Sequence, residues 1–182
     1  MTIYKIVQLA RLGLGRRKGL TDAIIDAGQG RVDEAMNQVG TASGVVPRVL
    51  TATLAALRHR PGDTDYAEEL GRQAAIGELS AMSRNMRILE QVVQAAPMLG
   101  LLGTVIGMID AFARLSEATG AVDPALLAGG IYTALTTTAA GLSIAIVFYF
   151  VTGWLESRIE RERQDMELAI SSALYGLAPS SV

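Results

Sequence analysis

Two stretches of the chain, residues 91–109 and 125–155, contain threonines but no charged residue and no histidine. The first stretch has Thr104, and the second has a cluster of four threonines within six residues, Thr133, Thr136, Thr137 and Thr138. Hydroxyls from two neighbouring helices could line a narrow polar path for an ion. The alternative is structural, because a threonine hydroxyl can also bond back to a carbonyl of its own helix.

Small residues in both stretches recur at spacings that place them on one face of a helix. These residues are Gly100, Gly103, Thr104 and Gly107 in the first stretch, and Ala134, Thr138, Gly141 and Ala145 in the second. Small side chains let helix backbones approach closely in lipid, where packing drives helix association. The spacing therefore predicts a packing face on each helix.

No acidic, basic or histidine side chain lies within either stretch, although a path for protons needs a group that can hold one. A carboxylate in mid-membrane is costly and is commonly functional. Two alternatives follow. The chain is a passive membrane scaffold whose Gly and Thr faces only pack helices, or a partner protein supplies the acid for an ion path lined by Thr104, Thr133, Thr137 and Thr138.

The elements that would position these residues are two membrane-spanning helices, since a helix needs about 20 apolar residues to cross a bilayer. From Tyr66 the pattern is helical up to the first stretch, with an apolar stripe at Ala75, Leu79, Met82, Met86, Leu89 and Val93. One long helix is therefore predicted to leave water and enter the membrane. Shorter helices are predicted over 20–60, with Thr21 as a cap, breaks at Gly28 and Gly30, and Pro47 in a first turn.

The predicted fold is an all-α, ring-forming membrane hairpin whose long helices extend into a helical cytoplasmic domain. Its segments are a cytoplasmic helical region over 1–90, a transmembrane helix over 91–112, a periplasmic loop over 113–124, a transmembrane helix over 125–154 and a cytoplasmic amphipathic helix over 155–182. Trp154 would mark the membrane interface. The first nineteen residues are either the cytoplasmic end of an earlier membrane helix or an amphipathic helix lying on anionic lipid.

Charge predicts the orientation of the hairpin, because positively charged flanks stay in the cytoplasm. The flanking arginines are Arg58, Arg60, Arg72, Arg84 and Arg87 before the first span, and Arg158, Arg161 and Arg163 after the second. The connection between the spans has only Arg114, against Glu117 and Asp123. Both ends are therefore expected to be cytoplasmic.

Composition excludes several classes of function. The chain has 182 residues, a net charge of -2 and no cysteine, so it offers no basic surface for nucleic acid, no disulfide and no thiolate metal site. The single histidine, His59, lies among arginines and is expected to be solvated. No nucleophile-and-base or paired-carboxylate arrangement lies in an apolar setting. We therefore expect neither an enzyme nor a bound cofactor.

The run APMLGLLGTVIGMIDAF, followed by GGIYTALTTTAAGLSIAIVFYF, resembles the MotA/TolQ/ExbB family of ion-driven motor subunits, and its TolQ/ExbB branch in particular. The resemblance covers about 91–165. It implies a pentamer in the bacterial inner membrane, surrounding an ExbD/TolR-like single-span partner whose Asp carries the ion. It further implies that Thr104 and Thr138 face the pore. A TonB/TolA-like protein is a further candidate partner.

Three departures from the family pattern are visible. Many relatives carry Glu where this chain has Thr133, and Pro where it has Val147. The first departure leaves open whether the ion is H⁺ or Na⁺. Relatives also begin with an additional membrane helix, and this chain starts after the place where it would be, which indicates either a truncated or misassigned start or a genuine two-span variant.

Overall fold

The computed structural model describes residues 17–117 and 124–176, all of them in helices or the turns between them. The helices are α1 (Arg17–Gly28), α2 (Val32–Val39), α3 (Val45–His59), α4 (Thr64–Ser83), α5 (Met86–Glu117) and α6 (Pro124–Tyr175). No strand occurs among the described residues, so the prediction of an all-α chain with long apolar helices is confirmed. The chain divides into two compact units, and the last helix contributes to both.

The first unit, the bundle, comprises helices α1 to α4 and the part of α6 from Arg158 onward. The breaks between its helices follow local sequence: α1 ends at Gly28, and Gly30 adopts a φ of 81° that favours glycine. Pro47 lies in the first turn of α3, as predicted, where its missing N–H costs little.

Large aliphatic side chains form the core of the bundle. Those with the least exposed surface include Val39, Val49, Leu50, Leu54 and Met166. Ile170 and Ala173 of α6 belong to the same core. The final turns of α6 are therefore held by the hydrophobic effect, which acts in proportion to the apolar area removed from water.

Two ion pairs on the surface of the bundle shift the pKa values of their carboxyl groups. Arg48 binds Glu78 in a bidentate geometry, with Nε–Oε1 and Nη2–Oε2 distances of 2.7 and 2.6 Å, and this lowers the pKa of Glu78. Asp26 accepts hydrogen bonds from Arg31 and Gln38, and chiefly the bond from Arg31 lowers the pKa of Asp26. These pairs link α3 to α4 and α1 to α2.

The second unit, the hairpin, comprises residues 84–117 and 124–157. Pro97 lies inside α5, which continues through it, although proline offers no N–H to the carbonyl one turn earlier. Membrane helices tolerate such prolines. Both long helices are apolar enough to cross a membrane, and only 11% and 17% of their most apolar windows are buried. The core helix of a soluble protein would be mostly buried.

Three local predictions are wrong. The helix predicted from Tyr66 into the membrane is interrupted by a turn at Arg84 and Asn85, which separates α4 from α5. Thr21 is not an N-cap, because α1 already begins at Arg17. The helix α5 extends to Glu117, so the first five residues of the predicted loop over 113–124 are helical. The prediction for the first nineteen residues concerns mainly residues 1–16, which lie outside the described residues.

Candidate functional site

A seam of small residues joins α5 and α6 within the hairpin. A Cβ atom built at Gly141 would lie 2.6 Å from the carbonyl oxygen of Ala96 and 3.0 Å from Cα of Gly100. A Cβ built at Gly100 would lie 3.1 Å from Cα of Thr138. These are contacts with backbone, which cannot move aside. The two helices therefore touch at their main chains near these glycines.

The seam continues toward the connection between the helices. A Cβ at Gly103 would meet Thr137 Oγ1 at 2.6 Å, one at Gly107 would meet Ala134 Cβ at 2.9 Å, and one at Gly130 would meet Ala111 Cβ at 2.6 Å. Partner numbers on α6 fall as those on α5 rise, so the helices are antiparallel. Between residues 96 and 145, the buried positions of the described chain are Ala96, Gly100, Ala111, Ala134, Gly141 and Ala145.

Thr138 forms a hydrogen bond across the seam. Its Oγ1 donates to the carbonyl oxygen of Gly100 at 2.9 Å. Thr137 donates to the carbonyl of Ala134 in its own helix at 2.7 Å and lies 3.5 Å from the carbonyl of Gly100. One backbone carbonyl of α5 therefore faces two hydroxyls of α6.

The other clustered threonines donate within their own helices. Thr104 Oγ1 donates to Leu101 O at 2.6 Å, Thr133 Oγ1 to Gly129 O at 3.0 Å and Thr136 Oγ1 to Tyr132 O at 2.8 Å. Thr133 and Thr136 are exposed, whereas Thr104 and Thr138 are half-buried. These bonds satisfy the hydroxyls locally, which is the structural alternative recognised from the sequence.

The four threonines proposed for an ion path fall on two flanks of the hairpin. At about 100° per residue, Thr104 lies about 60° to one side of the centre of the seam on α5. Because the helices are antiparallel and of the same hand, Thr138 lies on that same side, about 50° from the centre on α6. Thr133 and Thr137 lie on the opposite side. We call these the Thr104–Thr138 flank and the Thr133–Thr137 flank.

The bond between Thr138 and Gly100 lies near the middle of the apolar part of the hairpin. Glu90 and Asp110 bracket the uncharged stretch of α5, and Gly100 lies halfway between them. The nineteen residues between them rise about 28 Å, which is close to the thickness of a bilayer core. Asp110, at the C-terminal boundary of this stretch, pairs with Arg114, with an Oδ2–Nη2 distance of 3.0 Å.

The outer surface of the hairpin is apolar. The large hydrophobic residues of the hairpin that are more than two-fifths exposed are Ile88, Met98, Leu99, Leu101, Leu102, Val105, Ile106, Ile109 and Phe112 on α5, and Tyr132, Leu135, Leu142, Ile144, Ile146, Val147, Tyr149, Phe150 and Trp154 on α6. Soluble monomers rarely expose such large contiguous patches. This surface is suited to lipid or to neighbouring helices.

Sequence reasoning missed three members of the seam, Ala96, Ala111 and Gly130. Each lies four residues before or after a predicted packing residue, so extending the predicted faces by one helical turn would have found them. Thr152 was also missed. Its Oγ1 is buried and has no hydrogen-bond partner among the described residues, and nothing in the structure explains it.

Among residues 17–117 and 124–176, no group of three or more acidic or histidine side chains could hold a metal ion. Outside the hairpin, a cleft of about 400 Å³ in the bundle is lined by both charged and apolar residues, including Glu68, Arg72, Glu167 and Tyr175. Tyr175 donates to Glu68 there at 2.8 Å, and this bond raises the pKa of Tyr175.

Known proteins similar to this chain agree on one family. An ExbB homolog of Methanothermobacter thermautotrophicus, named for biopolymer transport, is 33% identical over 145 residues, covering 80% of this chain and 50% of that protein. The biopolymer transport protein exbB1 of Vibrio cholerae is 46% identical over 90 residues, 50% of this chain and 40% of that protein. The biopolymer transport protein ExbB of Xanthomonas campestris is 36% identical over 87 residues, 48% of this chain and 34% of that protein.

The chain thus spans half or less of the length of these relatives. The profile of the MotA/TolQ/ExbB proton channel family matches residues 41–168, which include both hairpin helices and most of the bundle. Members of its ExbB-like branch are channel and transport subunits and not enzymes. With more than two thirds of its residues matched, this membrane protein belongs to the MotA/TolQ/ExbB proton channel family, in its ExbB-like branch.

Proposed function

We propose that the chain is a subunit of an inner-membrane motor that uses the proton or sodium motive force to energise transport or envelope work. The observation that carries the proposal is the Thr104–Thr138 flank. It presents hydroxyl groups at mid-span of an apolar hairpin, and the described part of both spans has no Asp, Glu, Lys, Arg or His between Glu90 and Asp110 or between Pro124 and Leu155. A subunit of this kind can line an ion path but needs a partner to hold the ion.

The proposed partner is an ExbD/TolR-like protein with one membrane span and an acidic residue within it, and a TonB/TolA-like protein would transmit the work. The names of the relatives connect them with biopolymer transport. The test is purification of the tagged full-length protein from its native membrane. We expect a single-span protein with an intramembrane carboxyl group in stoichiometric amount, and recovery of the chain alone would contradict the proposal.

We further propose that the subunits form a ring, of five copies as in the resembling family. The seam occupies the contact between α5 and α6 of one subunit, so the remaining apolar faces are available to neighbouring copies. Native mass spectrometry of the full-length protein in detergent should show an oligomer of about this order. A stable monomer would contradict the ring.

In the proposed topology both ends of the chain are cytoplasmic and the connection over 113–124 is periplasmic. The chain has no cysteine, so single cysteines report topology without background. Ser116 and His59 are both exposed, one at the end of α5 and the other at the end of α3. In intact cells stripped of the outer membrane, an impermeant thiol reagent should label Ser116→Cys and spare His59→Cys. The reverse pattern would overturn the orientation.

Ion coupling itself is tested by Thr138→Val, with Thr136→Val as its matched control. Both variants lose one hydroxyl from α6, but Thr136 lies about 160° from Thr138 around the helix. In vesicles holding equal amounts of the purified complex, Thr138→Val should slow ion flux and Thr136→Val should not. Equal flux in both variants and the wild type would favour the passive scaffold, the alternative function.

A further inference from the structure

The hydroxyl hydrogens of the Thr104–Thr138 flank are already committed. Thr104 Oγ1 lies 2.6 Å from the carbonyl oxygen of Leu101, and Thr138 Oγ1 lies 2.9 Å from that of Gly100. A carbonyl oxygen can only accept a hydrogen bond, so in both contacts the hydroxyl must be the donor. The direction of each hydrogen therefore follows from the identity of its partner.

Each hydroxyl oxygen can still accept a hydrogen bond. A hydroxyl has one hydrogen and two lone pairs, and the described residues place no donor against Oγ1 of Thr104 or Thr138. The uncharged stretches around them contain no Lys, Arg or His that would stabilise a negative charge. At mid-span the flank is therefore a surface of hydrogen-bond acceptors in an apolar surrounding.

An acceptor surface distinguishes the two protonation states of a carboxylic acid. The protonated group has an O–H to donate, whereas the carboxylate only accepts and would meet lone pairs. To donate to a carboxylate, Thr138 would have to leave Gly100 and so break a hydrogen bond that joins the two helices. Apolar surroundings disfavour the charged form as well.

We infer that the Thr104–Thr138 flank recognises the ion-carrying carboxyl group in its protonated, neutral form and raises the affinity of that group for protons. This inference rests on the proposed function, which places such a group next to the flank. The two hydroxyls act as hydrogen-bond acceptors for the protonated carboxyl group and do not donate to the carboxylate.

The test builds a carboxyl group into the flank and needs neither a partner nor ion flux. Leu142 lies one helical turn beyond Thr138 and is 46% exposed, and side chains on a helix lean toward its N-terminus. Leu142→Glu in the full chain, in lipid vesicles, therefore places a carboxyl group beside the Thr138 hydroxyl. Its protonation is followed against pH by the infrared band of the neutral acid.

The decisive comparison adds Thr138→Val to Leu142→Glu. If the hydroxyl accepts from the neutral acid, its loss should lower the pKa of the introduced carboxyl group, by on the order of half a unit or more. If the pKa rises or stays unchanged, the inference is wrong, because the hydroxyl then donates to the carboxylate or does not touch it. Leu142→Glu with Thr136→Val is the control and should leave the pKa unmoved.

A second pair on the other helix protects the test against a variant that fails to fold. Met108 lies one turn beyond Thr104, so Met108→Glu with and without Thr104→Val repeats the measurement on α5. The pKa should again fall when the hydroxyl is lost. No ion flows in either experiment, so an unchanged pKa would contradict the inference about the hydroxyls without contradicting the proposed channel function. Conversely, normal ion flux in Thr138→Val would contradict the proposed ion path without contradicting the hydrogen bond to the neutral acid.

Discussion

The bundle buries large aliphatic side chains, whereas the described part of the hairpin between residues 96 and 145 buries only alanine and glycine. In the bundle, Val49, Leu50 and Leu54 have no exposed surface, and they pack with Met166 of α6. In the hairpin Ala134 is buried, at 1% exposed, while Leu99, Ile109 and Phe150 are more than half exposed. The same helix, α6, contributes to both units, so its sequence changes character along its length.

The difference follows from what surrounds each unit. In water, burial of large apolar side chains supplies the driving force for packing. In lipid that force is absent between helices, so close backbone contact through small residues takes its place. The two units should therefore respond in opposite ways to a change in side-chain size.

The largest effect is expected from Leu54→Ala in the bundle. Removing a fully buried leucine leaves a cavity and typically costs about 2–5 kcal/mol. Peptide-resolved hydrogen exchange on the full-length protein should show faster exchange in α3 and in the last turns of α6. Leu135→Ala, at a residue that is 62% exposed in the hairpin, is the matched control. Equal responses from the two variants would erase the contrast between the units.

The hairpin should instead fail when a small residue is enlarged. Gly141→Leu drives a side chain into the backbone of α5, since even its Cβ would lie 2.6 Å from the carbonyl of Ala96. Overpacking costs about 1–3 kcal/mol, and more where nothing can shift. Gly153→Leu is the control, because a Cβ there meets nothing within 4 Å. Hydrogen exchange and the yield of folded oligomer are the measurements.

Gly103→Leu and Gly107→Leu should give a smaller effect than Gly141→Leu, because the nearest atom to each new Cβ is a side-chain atom of α6, Thr137 Oγ1 or Ala134 Cβ, and not a backbone carbonyl. Ile106 is 57% exposed, and Ile106→Leu should be near neutral for the hairpin. If Gly103→Leu, Gly107→Leu and Ile106→Leu weakened the oligomer equally, the glycines would not form an oriented packing face.

Loss of the bond between Thr138 and Gly100 should have a modest effect on the hairpin. Hydrogen bonds between membrane helices contribute about 0.6 kcal/mol on average and up to about 1.7. Thr138→Val should accordingly loosen the seam slightly, and Thr138→Ser should restore it because the hydroxyl returns. The measurement is denaturant unfolding in detergent. Identical midpoints for the valine and serine variants would show that the bond contributes nothing.

The smallest effect concerns pH and is confined to the bundle. Arg48 lowers the pKa of Glu78 from its ordinary 4.5, so the pair contributes stability above that value and loses it as the pH falls through the lowered pKa. Both side chains are partly exposed, so the contribution is below about 1 kcal/mol. Arg48→Gln should destabilise the bundle at neutral pH and less so in acid. A difference that grew as the pH fell would contradict the sign.

The sequence predicted the helical content, the two apolar helices and the small-residue faces, because these depend on spacing within one element. It did not predict the turn at Arg84 and Asn85, since neither residue is a strong helix breaker. The partners across the seam also lay beyond reach. One sequence shows that Gly100 and Thr138 each lie on a small face, but only the packed helices show that they bind each other.

The division of the threonines into two flanks has the same origin. On a single helix Thr137 and Thr138 are neighbours, and both were predicted for one path. In the packed hairpin, Thr137 contacts Gly103 on one side of the seam, whereas Thr138 donates a hydrogen bond to Gly100 on the other side. In a single hairpin Thr133 and Thr137 therefore cannot share a flank with Thr104 and Thr138.

The central claim is that the Thr104–Thr138 flank lines a water-accessible ion path, and it is tested most directly by cysteine accessibility. The chain has no native cysteine, so Thr104→Cys, Thr138→Cys and Thr136→Cys can each be probed alone in the assembled complex. A small, water-soluble, cationic thiol reagent should modify Thr104→Cys and Thr138→Cys much faster than Thr136→Cys. Faster modification of Thr136→Cys, or equal rates at all three positions, would contradict the account.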